Sequence, residues 1–165
     1  MILTKGNGKV LIAMSGGVDS AVAAARLLNE GYEVVGVTMR LSKDVRSVDE
    51  TRDCGSDRAA ADARRVADIF GFPHYIVDFR ALFHARVVEY FLNTYAAGQT
   101  PNPCVVCNRY LKFSGLWDKA REMDADFLAT GHYARLQWDD ALRRHRLLKG
   151  RDAKKDQSYV LYHIA

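Results

Sequence analysis

An unbroken apolar run leads straight into a glycine pair and then into a helical pattern, and this junction restricts the fold more than any other feature of the chain. Val10-Leu11-Ile12-Ala13-Met14 has the continuous character of a strand covered on both faces. Ser15-Gly16-Gly17 breaks it. Val18, Ala21, Val22, Ala25 and Leu28 then recur at helical spacing until Asn29-Glu30-Gly31 ends the pattern. Val34 to Met39 is a second buried-strand run, and the alternation continues. Arg58 to Phe70 is an Ala-rich helix stopped by Gly71 and Pro73. Tyr75 to Phe79 is a third strand, Ala81 to Ala96 a long helix, Tyr110 to Met123 another, and Phe127 to Thr130 a fourth strand. Strands alternating with helices predict an α/β fold: a doubly wound, mostly parallel sheet with helices on both faces.

The connections fill in the rest. Leu41 to Gly55 is polar, lacks periodicity and reads as a mobile loop carrying Cys54. Gly98 to Asn108, with two prolines, reads as a second loop. Ala134 to Trp138 and Arg146 to Lys149 read as a hairpin, and the chain is expected to stop in a helix after Gln157. Ligands of such sheets bind at the carboxyl ends of the strands. Ser15 to Ser20, Met39, the Cys104 loop and Gly131-His132 all fall there.

Composition narrows the class. With 165 residues, 48% hydrophobic and 27% charged, the chain has one domain's length and can bury a core, which excludes wholesale disorder. No run of eighteen apolar residues is present, so no spanning helix and no membrane partner is expected. Met1-Ile2-Leu3-Thr4-Lys5-Gly6 shows no secretory signal, and three cysteines suit a reducing cytoplasm rather than a disulfide scaffold. The formal charge is +4, yet Arg135 to Lys155 alone holds eight bases against three acids. That segment is either a solvated hairpin or a surface for a phosphate backbone.

Ser15-Gly16-Gly17-Val18-Asp19-Ser20 has the chemistry of a phosphate cradle. Paired glycines let backbone N–H groups approach an anion, and the helix start adds the positive end of its dipole. The Ser15 and Ser20 hydroxyls are candidate donors. Asp19 is out of place beside an anion unless a divalent cation bridges it to the phosphates. A plain turn with Asp19 or Ser20 capping the helix is the competing reading. A Walker A loop is excluded, because Gly8-Lys9 precedes the strand, and no G-x-G-x-x-G is present.

Ser-Gly-Gly-x-Asp-Ser after a first strand resembles the signature of the PP-loop ATP pyrophosphatases, whose adenine nucleotide alpha hydrolase-like domain cleaves ATP between its α and β phosphates. Thr100-Pro101-Asn102-Pro103, followed four residues on by Cys107-Asn108, is similar to the catalytic loop of the tRNA-specific 2-thiouridylases. So are Ala129-Thr130-Gly131-His132-Tyr133-Ala134 and Lys155-Asp156-Gln157-Ser158-Tyr159. The resemblance implies an enzyme that adenylates the C2 oxygen of the wobble uridine of tRNA with ATP and Mg. A persulfide sulfur from a sulfur-relay donor protein then displaces AMP. It further implies that Ala13, Met14 and the cradle Ser15, Gly16, Gly17, Val18, Asp19 and Ser20 hold ATP, with Mg on Asp19. Met39 would lie by the adenine and Gly131 would complete the nucleotide site. Asn102, Pro103 and Cys104 would contact the target base, and His132, Lys155, Asp156 and Gln157 would touch tRNA. Cys107 would be the nucleophile.

Two departures from the family pattern matter. Cys104 stands where the commonest family loop has Asp. It either takes over that acid's role, pairs with Cys107, or joins Cys107 in holding an iron–sulfur cluster, as in some related thiolases. Zinc fits less well, since four ligands are usual and only Cys54 remains. Family chains also continue into a tRNA-binding domain and a β-barrel bearing a second catalytic cysteine. This chain is therefore expected to be the N-terminal part, one PP-loop domain over 1–165 with a basic hairpin near 134–150. The alternatives left open are another PP-loop tRNA thiolase, a lysidine, NAD or GMP synthetase, a non-catalytic nucleotide-binding module, and a Cys104-x-x-Cys107 redox protein.

Overall fold

A computed structural model describes residues 7–41 and 55–164. Four strands, β1 (Lys9–Ala13), β2 (Glu33–Arg40), β3 (His74–Asp78) and β4 (Phe127–Thr130), form one sheet in the order β3-β2-β1-β4, with every pair parallel. Crossovers carry the chain from β1 through β2 to β3, and then back past β1 to β4. The strand order therefore reverses between β1 and β4, which opens a crevice at their carboxyl ends.

Side-chain alternation along the strands explains why both faces are covered. On one face Ile12, Met14 and Val34 pack with Ala24 of α1 (Val18–Asn29) and Ala63 and Ala67 of α2 (Asp57–Phe70). On the other, Leu11 and Val37 pack with Phe79, Val87, Leu111, Leu116 and Ala120. A strand buried on both faces shows a continuous apolar run, which is what β1 shows in sequence. The α2 helix is capped by its own residues. Ser56 Oγ accepts the Ala59 N–H at 3.2 Å, and Gly71 ends the helix at φ +75°.

The second face is built from two long helical rods, each interrupted by a π-helical segment. The first comprises α3 (Arg80–Phe83), the π segment His84–Val88 and α4 (Glu89–Ala96). The second comprises α5 (Pro103–Cys107), the π segment Asn108–Gly115 and α6 (Leu116–Glu122). The expectation of a loop from Gly98 to Asn108 is corrected, because its second half is helical. Asn102 is the N-cap, its Oδ1 accepting the Val105 N–H at 3.4 Å, and Pro103 takes the first helical position. Asn-Pro is thus a helix start, where proline's missing N–H costs nothing.

The hairpin pairs β5 (Ala134–Asp139) with β6 (Arg144–Lys149) antiparallel, and its register sets Leu136 opposite Leu147. The helix expected after Gln157 is a single 3-10 turn, Ser158–Val160. Burial of Val160 and Leu161 against Val105, rather than helical periodicity, fixes that segment. Most of the Leu41–Gly55 loop, including Cys54, lies outside the described residues. No helix among the described residues is long and apolar enough to cross a membrane.

Candidate active site

The crevice at the strand reversal is a cavity of about 430 Å³. The β1 end and the first turn of α1 line one wall through Ala13, Met14, Ser15, Asp19 and Ser20. Val37, Thr38 and Met39 come from β2, Thr130, Gly131 and His132 from the end of β4, and Pro103, Cys104 and Cys107 from α5. Gln157 also reaches it. Gly16, Gly17 and Val18 complete the turn without lining the cavity, while Asn102, Lys155 and Asp156 lie outside it.

Backbone geometry dominates the β1–α1 wall. Gly16 adopts φ +74°, and a Cβ there would stand 2.5 Å from the Ala59 carbonyl oxygen, so the turn must be glycine to lie against the start of α2. A Cβ at Gly131 would stand 2.6 Å from the Ser20 nitrogen. The end of β4 is therefore pressed directly onto the first turn of α1. Gly17 is the N-cap residue of α1 and makes no side-chain cap. The first N–H of the helical ladder is that of Ala21, which donates to the Gly17 carbonyl at 3.3 Å. The N–H groups of Val18 and Asp19 precede that ladder, at the positive end of the helix dipole.

The two serines divide their work. Ser20 is buried at 3% exposure. Its Oγ donates to the Gly17 carbonyl at 3.0 Å and accepts the Ser15 N–H at 3.3 Å. Ser20 therefore staples the cradle from inside while also lining the cavity. Ser15 and Asp19 are exposed beside the cavity. The competing reading, in which a side chain caps α1, does not hold, because no side chain occupies that cap.

Behind the cradle, Thr38 Oγ1 donates to the Met14 carbonyl at 2.8 Å and accepts from His74 Nε2 at 2.9 Å. That chain fixes the strand end next to Met39. Burial, with the nearby Arg64 charge, holds the His74 pKa below its ordinary value, so the ring is a neutral Nε2–H donor at neutral pH.

Cys104 and Cys107 sit three residues apart on α5, so both face the cavity. Cys104 is exposed and Cys107 half-buried. Lys112, which sequence reasoning missed, also lines the cavity and is half-buried, with Nζ 3.5 Å from His132 Nε2. It belongs to the π segment, whose i to i+5 repeat carries Lys112 around to the Cys107 side. His132 Nδ1 lies 2.8 Å from Thr130 Oγ1. Burial first, and then the Lys112 charge, push the His132 pKa down to about 4, so His132 is a neutral group in the wall.

Of the Lys155-Asp156-Gln157 triplet, Asp156 and Gln157 spend their polar groups on neighbouring backbone. Asp156 Oδ1 accepts the Gly150 N–H at 2.6 Å and the Ser158 N–H at 3.2 Å, and Oδ2 accepts the Ser158 hydroxyl at 2.8 Å. These bonds, the Gly150 one foremost, lower the Asp156 pKa. Gln157 exchanges hydrogen bonds with the Tyr133 backbone in both directions, at 2.9 and 2.8 Å. The triplet is a clasp at the foot of the hairpin. Lys155, 5.6 Å from the Tyr133 ring centroid, is its outward charge.

The family described as the tRNA methyl transferase HUP domain matches residues 8–165. The tRNA-specific 2-thiouridylase MnmA of Carboxydothermus hydrogenoformans is 52% identical over 161 residues, covering 96% of this chain and 44% of its own length. That of Clostridioides difficile is 48% identical over 158 residues, again 96% and 44%. The chain thus spans less than half the length of these relatives. Among solved structures, the glutamine-dependent NAD+ synthetase of Acinetobacter baumannii, in complex with adenosine diphosphate, aligns with a TM-score of 0.53 at 20% identity, over 78% of this chain and 22% of that one. A predicted subunit of tRNA methyltransferase from Methanocaldococcus jannaschii aligns at 0.51 and 19%, over 83% and 57%. At those identities the likeness is one of fold.

Proposed function

This chain belongs to the tRNA methyl transferase HUP domain family, and from that premise we propose that it is the ATP-using part of a tRNA-uridine 2-thiolase. The observation that carries the reading is the convergence of the β1–α1 cradle and the two α5 cysteines on one cavity.

In this reading the N–H groups at the start of α1 and the Ser15 hydroxyl hold the ATP phosphates. Met39 borders the adenine, and Gly131 keeps the β4 end close enough to complete the pocket. Asp19 is the carboxylate that would hold Mg, and its exposed position beside the cradle suits that donor role. Mg, when bound, would screen charge on the phosphates as pyrophosphate leaves. The C2 oxygen of the wobble uridine attacks the α phosphorus and pyrophosphate departs. A carbonyl oxygen is a poor leaving group, and esterification to AMP makes it a good one. A persulfide's outer sulfur then bonds to C2 as AMP leaves with the former carbonyl oxygen, and attack of the Cys107 thiolate on the persulfide's inner sulfur breaks the S–S bond, leaving the outer sulfur on C2 and a disulfide between Cys107 and the donor cysteine. Cys107, half-buried on the α5 wall, is the nucleophile position, while Asn102, Pro103 and Cys104 would receive a base splayed out of its stack. Neutral His132 can hydrogen-bond RNA without adding charge, and Lys155 and the exposed arginines of the hairpin face the backbone. A sulfur-relay protein would load the persulfide.

Cys104 and Cys107 supply two of the four thiolates usual for an iron–sulfur cluster. Among the described residues no group of three His, Cys, Asp or Glu side chains gathers to hold a metal ion, and the proposed steps need no cluster.

The test is pyrophosphate release from Mg-ATP by this chain with and without unmodified tRNA. RNA-stimulated release is expected. Release that is absent, or indifferent to RNA, overturns the reading.

A further inference from the structure

Helix α5 separates two cavities. Pro103, Cys104 and Cys107 face the one already described. Asn102, Val106 and Arg109 face a second, of about 380 Å³, whose far side is formed by Arg86, Tyr90 and the tail residues Tyr162 and His163. Of its lining residues only Asn102, at the start of α5, has a part in the adenylation and sulfur-transfer steps proposed above.

Its charge arrangement is unusual. The guanidinium carbons of Arg86 and Arg109 lie 5.2 and 5.1 Å from the centroid of the same Tyr110 ring. Both arginines are exposed, and among the described residues neither forms an ion pair with a carboxylate. The acid closest in sequence, Glu89, lies 3.6 Å from His84 instead. Both guanidiniums border the one cavity, so an anion entering it meets two N–H forks that match a phosphate. Both arginines project from π segments, one in each rod.

The remaining walls suit a nucleotide. Tyr162 is 60% exposed and packs on His163 with ring centroids 4.1 Å apart, offering an aromatic platform for a base. The tail is held there by buried Asn108, whose Nδ2 donates to the Val160 carbonyl at 3.2 Å. Tyr90 Oη accepts the Asn102 N–H at 3.4 Å, which ties this cavity to the start of the cysteine helix.

We propose that the Arg86–Arg109 cavity is an RNA subsite, gripping a backbone phosphate beside the uridine lodged on the other side of α5. The inference rests on the tRNA reading above. The width of a helix, about 10 Å, separates the two cavities. A splayed single strand can therefore place the reacting base in one and a flanking phosphate in the other.

The experiment measures binding of a fluorescent anticodon stem-loop RNA to the chain, with Mg-ATP present, across a salt series. Arg86→Ala with Arg109→Ala should weaken binding ~10-fold or more and reduce the salt slope by about 0.7 for each phosphate no longer neutralised. ATP affinity and thermal midpoint should stay unchanged, and Arg86→Lys with Arg109→Lys should recover part of the loss. In the unaltered chain, a methylphosphonate at a phosphate flanking the target uridine should weaken binding by a similar factor. In the double alanine variant it should have no further effect. If the unaltered chain binds and neither the variant nor any flanking methylphosphonate changes affinity, the subsite is overturned while the thiolase reading stands. If the unaltered chain binds no RNA, both fall. Should the alanine variant fail to fold, the methylphosphonate series on the unaltered chain decides alone.

Discussion

The two walls of the main cavity are built by opposite means. The β1–α1 wall is backbone: glycines at 16 and 131 bring chain against chain, and the exposed donors are N–H groups fixed by helix geometry. The α5 wall is side chain: two thiols, a lysine and a neutral histidine held in place by packing and by a π segment. A backbone wall binds any polyphosphate of the right shape. A side-chain wall carries the chemistry that separates one enzyme of this fold from another. Substitutions on the two walls should therefore fail in different ways.

The largest contrast is between Asp19→Ala and Cys107→Ser. Asp19→Ala should lower Mg-ATP-dependent pyrophosphate release about 100-fold or more, because an interaction with developing phosphate charge is worth several kcal/mol. Its thermal midpoint should hold, since Asp19 is exposed. Cys107→Ser should leave pyrophosphate release within about twofold and remove sulfur transfer to RNA. Equal losses of pyrophosphate release in both variants would erase the distinction between the walls.

Gly16→Ala strikes the backbone wall from behind. The new Cβ meets the α2 backbone at Ala59 from a φ of +74°, and neither side is the flexible end of a side chain. Strain plus overpacking is expected to cost about 2–4 kcal/mol in urea unfolding. Gly17→Ala, with only the Ser15 hydroxyl at 3.4 Å and a negative φ, should cost far less. Similar losses at the two positions would show that the first glycine is a convenience of the turn rather than a packing requirement.

That asymmetry marks what the sequence discloses. The strand, glycine pair and helix are readable because each rests on local chemistry: an unbroken apolar run, a residue without Cβ, a 3.6-residue period. The sheet follows from alternation, and the meeting of Cys107 with Ser15 follows from the rule that strand ends gather ligands. The α5 start is misread because Asn102-Pro103 punctuates loops and begins helices with the same letters. Lys112 is invisible because a π segment obeys a different period, and Arg86 and Arg109 reach the same Tyr110 ring from two separate rods. Asp156 and Ser20 look like ligand groups, and their hydrogen bonds give them structural work that the letters alone do not disclose.

Lys112 and His132 sharpen the side-chain wall through pH. The His132 pKa of about 4 lies below that of an unfolded histidine, near 6.5, so the unfolded chain takes up the proton first as pH falls. The stability this contributes is complete above about pH 6.5 and is lost as pH falls toward 4. It amounts to about 2 kcal/mol once solvent screening is allowed for. Lys112→Met removes the charge that, after burial, depresses the ring. The His132 titration, followed by its ring proton shifts, should move upward, and the stability lost between pH 6.5 and 4 should shrink. An unmoved titration would leave burial alone as the cause.

The hairpin offers the smallest effect and the cleanest separation of charge from clasp. Arg146 lies 3.3 Å from Asp139 across the two strands, so part of its charge is already answered within the hairpin. Arg143, in the turn at φ +50°, and Arg144 are the exposed charges without such an acid among the described residues. Reversing both to Glu should weaken RNA binding several-fold and flatten its salt dependence by about 0.7 for each single-strand phosphate that the hairpin no longer neutralises. The Asp156 clasp at the other end of the hairpin should be untouched, so hydrogen exchange at Gly150 and Ser158 should keep its protection. If affinity holds while those positions lose protection, the arginines serve the hairpin's own folding and the basic segment is plain surface. If affinity falls with protection intact, the charge belongs to the RNA.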